Sequence, residues 1–155
     1  MTEINCEVKH GANFAATNVG KLSQLNRFSF QLPSRAIEVE GKLFINQLLD
    51  LTSCEISLNK LPAKATIPFY HKHKQNEEVY LFIQGRGEFQ IDSEVFSISE
   101  GTVVRVDPDG ERTLKSISDE DLVYIVIQSR ANSYEGNTIS DGVAVDKKGS
   151  WVNPN

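Results

Sequence analysis

The sequence predicts an all-β protein whose short strands form a sandwich or a closed barrel. From about residue 37 onward, apolar residues recur in short and often alternating runs. Turn signals such as "SEG", "PDG" and "SDED" separate these runs, and no convincing helical period competes with them. A chain of 155 residues is the size of one ordinary domain. We therefore expect a single core built from about eight strands, with a turn at roughly every 8 to 12 residues.

The first three expected strands lead up to a histidine-rich stretch. "KLFINQLL" (42–49) and "SCEISLNKL" (53–61) carry alternating or nearly alternating apolar residues, which is typical of strands with one buried face. "KATIPFYHKH" (64–73) is expected to be extended. Pro68 marks an edge or a bend in it, because proline cannot donate a hydrogen bond to a neighbouring strand.

The remaining predicted strands are more closely spaced along the chain. "EVYLFIQG" (78–85) reads as a buried apolar strand that a glycine closes. "GEFQI" and "EVFSI" flank "DS" as a hairpin. The last three predicted strands each follow a turn signal, and they are "TVVRV" (102–106), "RTLKSI" (112–117) and "LVYIVIQ" (122–128).

The two ends of the chain differ from the barrel segment, which we place at 37–130. Residues 1–36 form an N-terminal extension that wraps the barrel or adds an edge strand, and its pattern is too irregular to choose. Residues 131–155 are rich in Gly, Ser and Asn, so we expect a loosely ordered tail with one short strand near "GVAV". Trp151 packs either on the barrel or on a second copy of the chain.

The composition argues against several classes of protein. A formal charge of −5 without a basic stripe argues against nucleic acid as a partner. The longest apolar runs fall far short of the roughly 20 residues that span a bilayer, so no membrane is expected. The start lacks a basic region followed by an apolar stretch, which makes the cytoplasm the default location. Cys6 and Cys54 are too few and too far apart for a disulfide framework.

The strongest chemical signal is the stretch "HKHKQNEEVYLFIQG" (71–85). On a strand, His71 and His73 point to the same side, about 7 Å apart along the chain. If the next residues form a turn, the carboxylate of Glu78 returns beside them. Two imidazoles and one carboxylate suit Zn²⁺, Fe²⁺, Mn²⁺, Ni²⁺ or Cu²⁺ and leave positions open for a substrate. The same residues are also compatible with a polar loop that leads into a buried strand.

This stretch resembles the first conserved motif of the cupins, G-x5-H-x-H-x3-4-E-x6-G. His71, His73, Glu78 and Gly85 stand at the matching positions, and Ala65 stands where the leading glycine is expected. The spacing to Gly85 selects Glu78 and not Glu77 as the carboxylate. The resemblance covers roughly residues 42–130 and implies a jelly-roll barrel, that is, a double-stranded β-helix, with His71, His73 and Glu78 as metal ligands.

The second cupin motif, G-x5-P-x-G-x2-H-x3-N, is degenerate in "GTVVRVDPDGERTLKSIS" (101–118). One extra residue precedes Pro108, so the histidine position falls on Arg112 or on Thr113, depending on where the count starts. Neither residue is a histidine. An arginine stays protonated and cannot ligate a metal, although it can hold a carboxylate or phosphate by two parallel hydrogen bonds.

Three functions remain open at this point. The first is a metal-dependent cupin enzyme of the oxygenase, isomerase or lyase type. The second is a barrel that binds a small anionic molecule through Arg112 and the histidines, with metal or without it, and with Tyr80, Phe82 and Tyr124 as apolar walls. The third is a non-catalytic structural or regulatory module. The resemblance also implies a homodimer, because exposed edge strands invite pairing.

Overall fold

The computed structural model describes residues 5–33, 36–136 and 138–151. Strands with alternating apolar residues form two sheets that face each other. A five-stranded sheet has the order β10-β7-β12-β6-β5 and a three-stranded sheet has the order β11-β8-β9. All the pairings are antiparallel. The strands are β5 (Lys42–Phe44), β6 (Glu55–Leu61), β7 (Asn76–Gln84), β8 (Arg86–Ile91), β9 (Glu94–Ser99), β10 (Val103–Val106), β11 (Arg112–Ser116) and β12 (Leu122–Arg130).

The core lies between the two sheets. Every second residue of β7 and β12 points inward, and these residues meet inward residues of β8, β9, β10 and β11. Aromatic rings fill the centre, with Tyr80 and Phe89 at 4.8 Å between ring centroids and Phe82 and Tyr124 at 5.6 Å. The predicted all-β jelly-roll barrel is therefore confirmed.

The glycine that closes β7 has a steric role. Gly85 has a φ of 86°, which favours glycine, and a Cβ at this position would lie 2.6 Å from the carbonyl oxygen of Asp121. The chain therefore turns directly from β7 into β8 against the start of β12.

The N-terminal extension contains two short antiparallel strand pairs and one 3₁₀ helix. They are β1 (Val8–His10) with β2 (Ala15–Thr17), the helix Leu22–Arg27, and β3 (Ser29–Gln31) with β4 (Glu38–Glu40). Leu25 and Phe28 form a second apolar cluster with Leu43 and Leu58, on the outer face of β5 and β6. The extension therefore covers part of the barrel's outer surface.

Three details of the predicted elements are wrong. The strand expected over 64–73 is not formed, since this segment has two isolated bridges, Thr66 to Lys115 and His71 to Arg112, and no named strand. The strand expected over 42–49 ends at Phe44, and α1 (Asn46–Leu49) follows as a single helical turn. The helical spacing of Ile45 and Leu48 lets both pack in the second apolar cluster. The strand expected near "GVAV" is absent, since residues 142–145 have no regular structure.

The tail does not cover the barrel in the part of the chain that the structure describes. Trp151 is 87% exposed, so it does not pack on the barrel core. Cys6 and Cys54 are both free thiols and half-buried. Among the described residues, no helix is long and apolar enough to cross a membrane.

Candidate metal centre

Glu78 lies inside the barrel because it shares the inward face of β7 with Tyr80 and Phe82. Its strand runs between β10 and β12, where Val106 and Gln128 are its partners in register. The Glu78 side chain is 8% exposed. A carboxylate at this depth needs charged or hydrogen-bonding partners, since burial of an unpaired charge is costly.

The two histidines reach Glu78 from the segment that precedes β7. His71 exchanges backbone hydrogen bonds with Arg112 on β11, and the amide of His73 donates to the carbonyl oxygen of Pro108 at 3.0 Å. This anchoring places His73 Nε2 at 3.1 Å from Glu78 Oε1 and His71 Nε2 at 3.6 Å from Glu78 Oε2. The structure thus brings the three predicted ligands together.

Arg112 occupies the position that the degenerate second motif left ambiguous. It is 1% exposed, and its Nη2 lies 3.4 Å from Glu78 Oε2. Its Nη1 donates to the carbonyl oxygen of Gly110 at 2.7 Å, while Nε and Nη2 have no hydrogen-bond partner. Arg112 is therefore buried beside Glu78 and is not a solvated residue. The Thr113 hydroxyl instead donates to the carbonyl oxygen of Ile67 at 3.0 Å.

The two oxygens of Glu78 have different surroundings. Oε2 accepts a hydrogen bond from the Tyr80 hydroxyl at 2.6 Å and also faces Arg112, whereas Oε1 faces His73. Burial raises the pKa of Glu78, but hydrogen bonds from His71, His73 and Tyr80 outweigh burial and bring this pKa below its ordinary value. Burial, followed by the charge of Glu78, raises the pKa of Tyr80. Glu78 is thus an ionised carboxylate whose Oε2 is held in place.

The ligand atoms fit a divalent ion. Two imidazole nitrogens and one carboxylate oxygen all lie within 4.8 Å of one another. Ligands at the usual 2.0–2.2 Å from one ion are at most roughly 4.4 Å apart, so a small rotation of the side chains suffices. Three protein ligands leave positions open for water or a ligand.

Gln128 supports His73 from β12, and the sequence analysis did not select it. Its Nε2 lies 3.0 Å from His73 Nδ1 and 3.1 Å from His73 Nε2. A metal ligated by Nε2 requires a proton on Nδ1, which the amide oxygen of Gln128 can accept after the amide rotates. Gln128 therefore has the position and chemistry to orient this imidazole.

The centre opens into a cavity of about 610 Å³. Tyr80, Tyr124 and Arg112, which are candidate ligand-binding residues from the sequence, are among its lining residues. Phe82 is not among its lining residues and packs in the core, at 5.6 Å from Tyr124 between ring centroids. His10, the remaining histidine of the chain, lies on β1, is exposed and does not belong to this cluster.

A polar wall formed by β5 and β6 was missed by the sequence analysis. Lys42, Ser57 and Asn59 face inward, and Lys42 Nζ donates to Asn59 Oδ1 at 2.9 Å and to Ser57 Oγ at 3.2 Å. The signal was available in "EISLNKL", where Ile56 and Leu58 alternate with polar residues. Leu58 packs outward under the N-terminal extension, so Ser57 and Asn59 point to the interior, where Asn59 lines the cavity.

Known proteins similar to this chain share the barrel. A family model described as a cupin domain matches residues 58–128. The crystal structure of a cupin protein from Bacteroides fragilis is 39% identical, with a TM-score of 0.64, and the match covers 72% of this chain and 94% of that one. A sugar phosphate isomerase of the cupin superfamily from Silicibacter pomeroyi has a TM-score of 0.52 at 17% identity and covers 59% of this chain and 60% of that one, so it shows likeness of fold alone.

A curated relative of this chain is itself uncharacterised and so indicates no activity. An uncharacterised protein of Methanocaldococcus jannaschii is 27% identical over 82 residues, which are 50% of this chain and 66% of that protein. The chain therefore matches slightly less than two thirds of that relative's length.

Proposed function

Since the chain belongs to the cupin superfamily, we propose that its barrel binds one divalent metal ion through His71, His73 and Glu78 and holds a small anionic molecule beside it. The observation that carries the proposal is the convergence of two imidazoles and an ionised carboxylate on the wall of a cavity. Imidazole and carboxylate ligands suit Zn²⁺, Fe²⁺, Mn²⁺, Ni²⁺ or Cu²⁺. When bound, such an ion polarises an oxygen of its ligand or activates water.

The anionic character of the small molecule follows from the charges around the cavity. Arg112 and Lys42 line it together with a single buried carboxylate, that of Glu78. A divalent ion adds further positive charge. The exposed Glu38 and Glu40 at the mouth oppose this charge only weakly, because water and salt screen exposed groups.

Metal analysis of protein purified without a histidine tag tests the proposal. We expect about one equivalent of a divalent ion per chain, and we expect apo protein prepared with a chelator to take up one equivalent of added Zn²⁺. The control is a His10→Ala variant, because His10 is exposed and is not among the residues that line the cavity. Protein that neither contains nor takes up metal would contradict the metal site.

The proposal includes a homodimer that pairs through the outer face of the five-stranded sheet. Leu81, Ile125 and Val103 are cross-strand neighbours on this face, and Val103 is 62% exposed. Ile83, further along β7, is 40% exposed. Contiguous exposed apolar residues of this kind are typical of interaction surfaces. The N-terminal extension covers only the side of the face formed by β5 and β6.

Light scattering coupled to size-exclusion chromatography measures the dimer directly. We expect twice the chain mass of 17.3 kDa for the wild type and a shift toward one chain mass for Val103→Glu, since a buried carboxylate without a partner is costly. Val95→Glu is the matched control, because Val95 is 55% exposed on β9 of the other sheet. If wild-type protein has the mass of one chain, or if the Val103→Glu variant stays dimeric, the proposed interface on the five-stranded sheet is contradicted.

A further inference from the structure

Lys42 is a cation on the cavity wall that belongs to no ion pair in the described part of the chain. It lies on β5, whereas the metal centre is built from β7, β11 and the segment before β7. The chain holds its ammonium through Asn59 and Ser57, both 3% exposed, and its Nζ lies 5.0 Å from the Phe44 ring centroid. The ammonium is therefore positioned by buried partners and carries an unbalanced charge.

The environment makes this charge costly for the protein alone. Burial lowers the pKa of Lys42 to about 8, although the carboxylates of Glu78 and Glu55 act in the opposite direction. Glu55 Oε1 already accepts from the backbone amides of Asn46 and Ile56, at 3.0 and 3.1 Å. An anion that enters the cavity would stabilise the Lys42 ammonium and accept a hydrogen bond from the N–H that Asn59 and Ser57 leave free.

The number of free donors indicates which anion fits. An ammonium has three N–H donors, and Asn59 Oδ1 and Ser57 Oγ accept two of them. The one remaining donor suits a single carboxylate oxygen. A phosphate group has three oxygens to satisfy, and the wall formed by β5 and β6 offers no second cation free for it, because Lys60 is paired with Asp121 at 2.9 Å.

We propose that Lys42, held by Ser57 and Asn59, binds the second carboxylate of a dicarboxylate whose first carboxylate lies at the metal centre. The inference rests on the proposed function, since it concerns the molecule that the same cavity takes. It assigns the two ends of that molecule to different walls. The first carboxylate lies beside the histidines and Arg112, and the second lies beside β5 and β6. The cavity thus selects small molecules by the separation of their two anionic groups.

Isothermal titration calorimetry with paired probes tests the assignment. The dicarboxylates oxalate, malonate, succinate and glutarate are compared with the mono-amides of the same acids, which keep the length and lose one charge. We expect at least one dicarboxylate to bind wild-type protein about tenfold more tightly than its mono-amide, as a charged hydrogen bond would predict. In Lys42→Met we expect the ratio of the mono-amide Kd to the dicarboxylate Kd to fall to about one. Lys42→Arg, which keeps the charge, retains a preference.

The controls separate this inference from the metal site. Lys115→Met removes one positive charge outside the cavity, where Lys115 pairs with Glu88 at 2.7 Å, and it should keep the preference. Each titration is run on chelator-treated protein and on protein loaded with one equivalent of Zn²⁺. Loss of the preference in Lys42→Met in either form supports the inference whether or not metal binds. An unchanged preference in Lys42→Met, or no binding of any probe, overturns it, even where Zn²⁺ is taken up.

Discussion

Replacement of Glu78 by glutamine is expected to lower the affinity of the apo protein for Zn²⁺ by about 100-fold or more. The carboxylate is one of the three proposed ligands, and even residues that only support a ligand typically change metal affinity by 10- to 100-fold. An amide supplies a weaker, neutral oxygen to the ion. His71→Ala and His73→Ala are expected to have effects of similar size, because each removes one nitrogen ligand. Competition with a chromophoric chelator measures these affinities.

Glu77→Gln is the matched control for this experiment. Glu77 is adjacent to Glu78 on β7 and points to the opposite side of the strand, so both variants lose the same charge from the same strand. We expect the Zn²⁺ affinity of Glu77→Gln to stay within about threefold of the wild type, which is the range of a surface charge change. Equal affinities for Glu78→Gln and Glu77→Gln would show that the carboxylate is not a ligand.

Replacement of Arg112 by methionine is expected to lower the free energy of unfolding of the apo protein by about 3 kcal/mol. The variant leaves the Glu78 carboxylate buried without its nearest permanent cation, and an uncompensated buried charge is strongly destabilising. We expect a loss at the lower end of the range that is usual when a buried ion pair is broken. The reason is that the contact between Arg112 Nη2 and Glu78 Oε2, at 3.4 Å, is an ion pair without a hydrogen bond. Urea unfolding of chelator-treated protein measures the change.

Two further variants make the Arg112 experiment decisive. Arg105→Met is the matched control, since Arg105 pairs with Asp107 and its side chain is 65% exposed, and it should change stability by less than about 0.5 kcal/mol. The double variant Arg112→Met with Glu78→Gln should recover part of the loss, because it removes the stranded charge as well. A cost below about 1 kcal/mol for Arg112→Met alone would contradict the role of Arg112 as the counterion of Glu78.

The barrel strands could be predicted because their signal is local. Alternating apolar residues and the turns between them predict every strand from β6 to β12 to within a few residues. The prediction failed at 42–49, where a strand becomes a helical turn after Phe44. Five of the eight residues in 42–49 are apolar and fit both periods, and packing under the N-terminal extension decides between them. The same extension was too irregular to interpret before the structure showed what it covers.

Within the candidate site, the spacing of the histidines and Glu78 could be predicted, but their electrostatic surroundings could not. The extra residue before Pro108 left Arg112 and Thr113 as equal alternatives. The register of His71 against Arg112 resolves this choice, since it turns the guanidinium toward Glu78. No local pattern in the chain contains that register, because the two residues are 41 positions apart.

The periodicity of the sequence by itself determined the all-β class, and the resemblance of residues 71–85 to the first cupin motif indicated the barrel and the three candidate metal ligands. The tertiary structure alone decided that Arg112 is buried beside Glu78, and that Lys42 and Asn59 line the same cavity while Ser57 helps to hold the Lys42 ammonium. The physical reason is that charge and burial are properties of the assembled barrel. They depend on which strands lie side by side, and separations of tens of residues along the chain do not encode that adjacency locally.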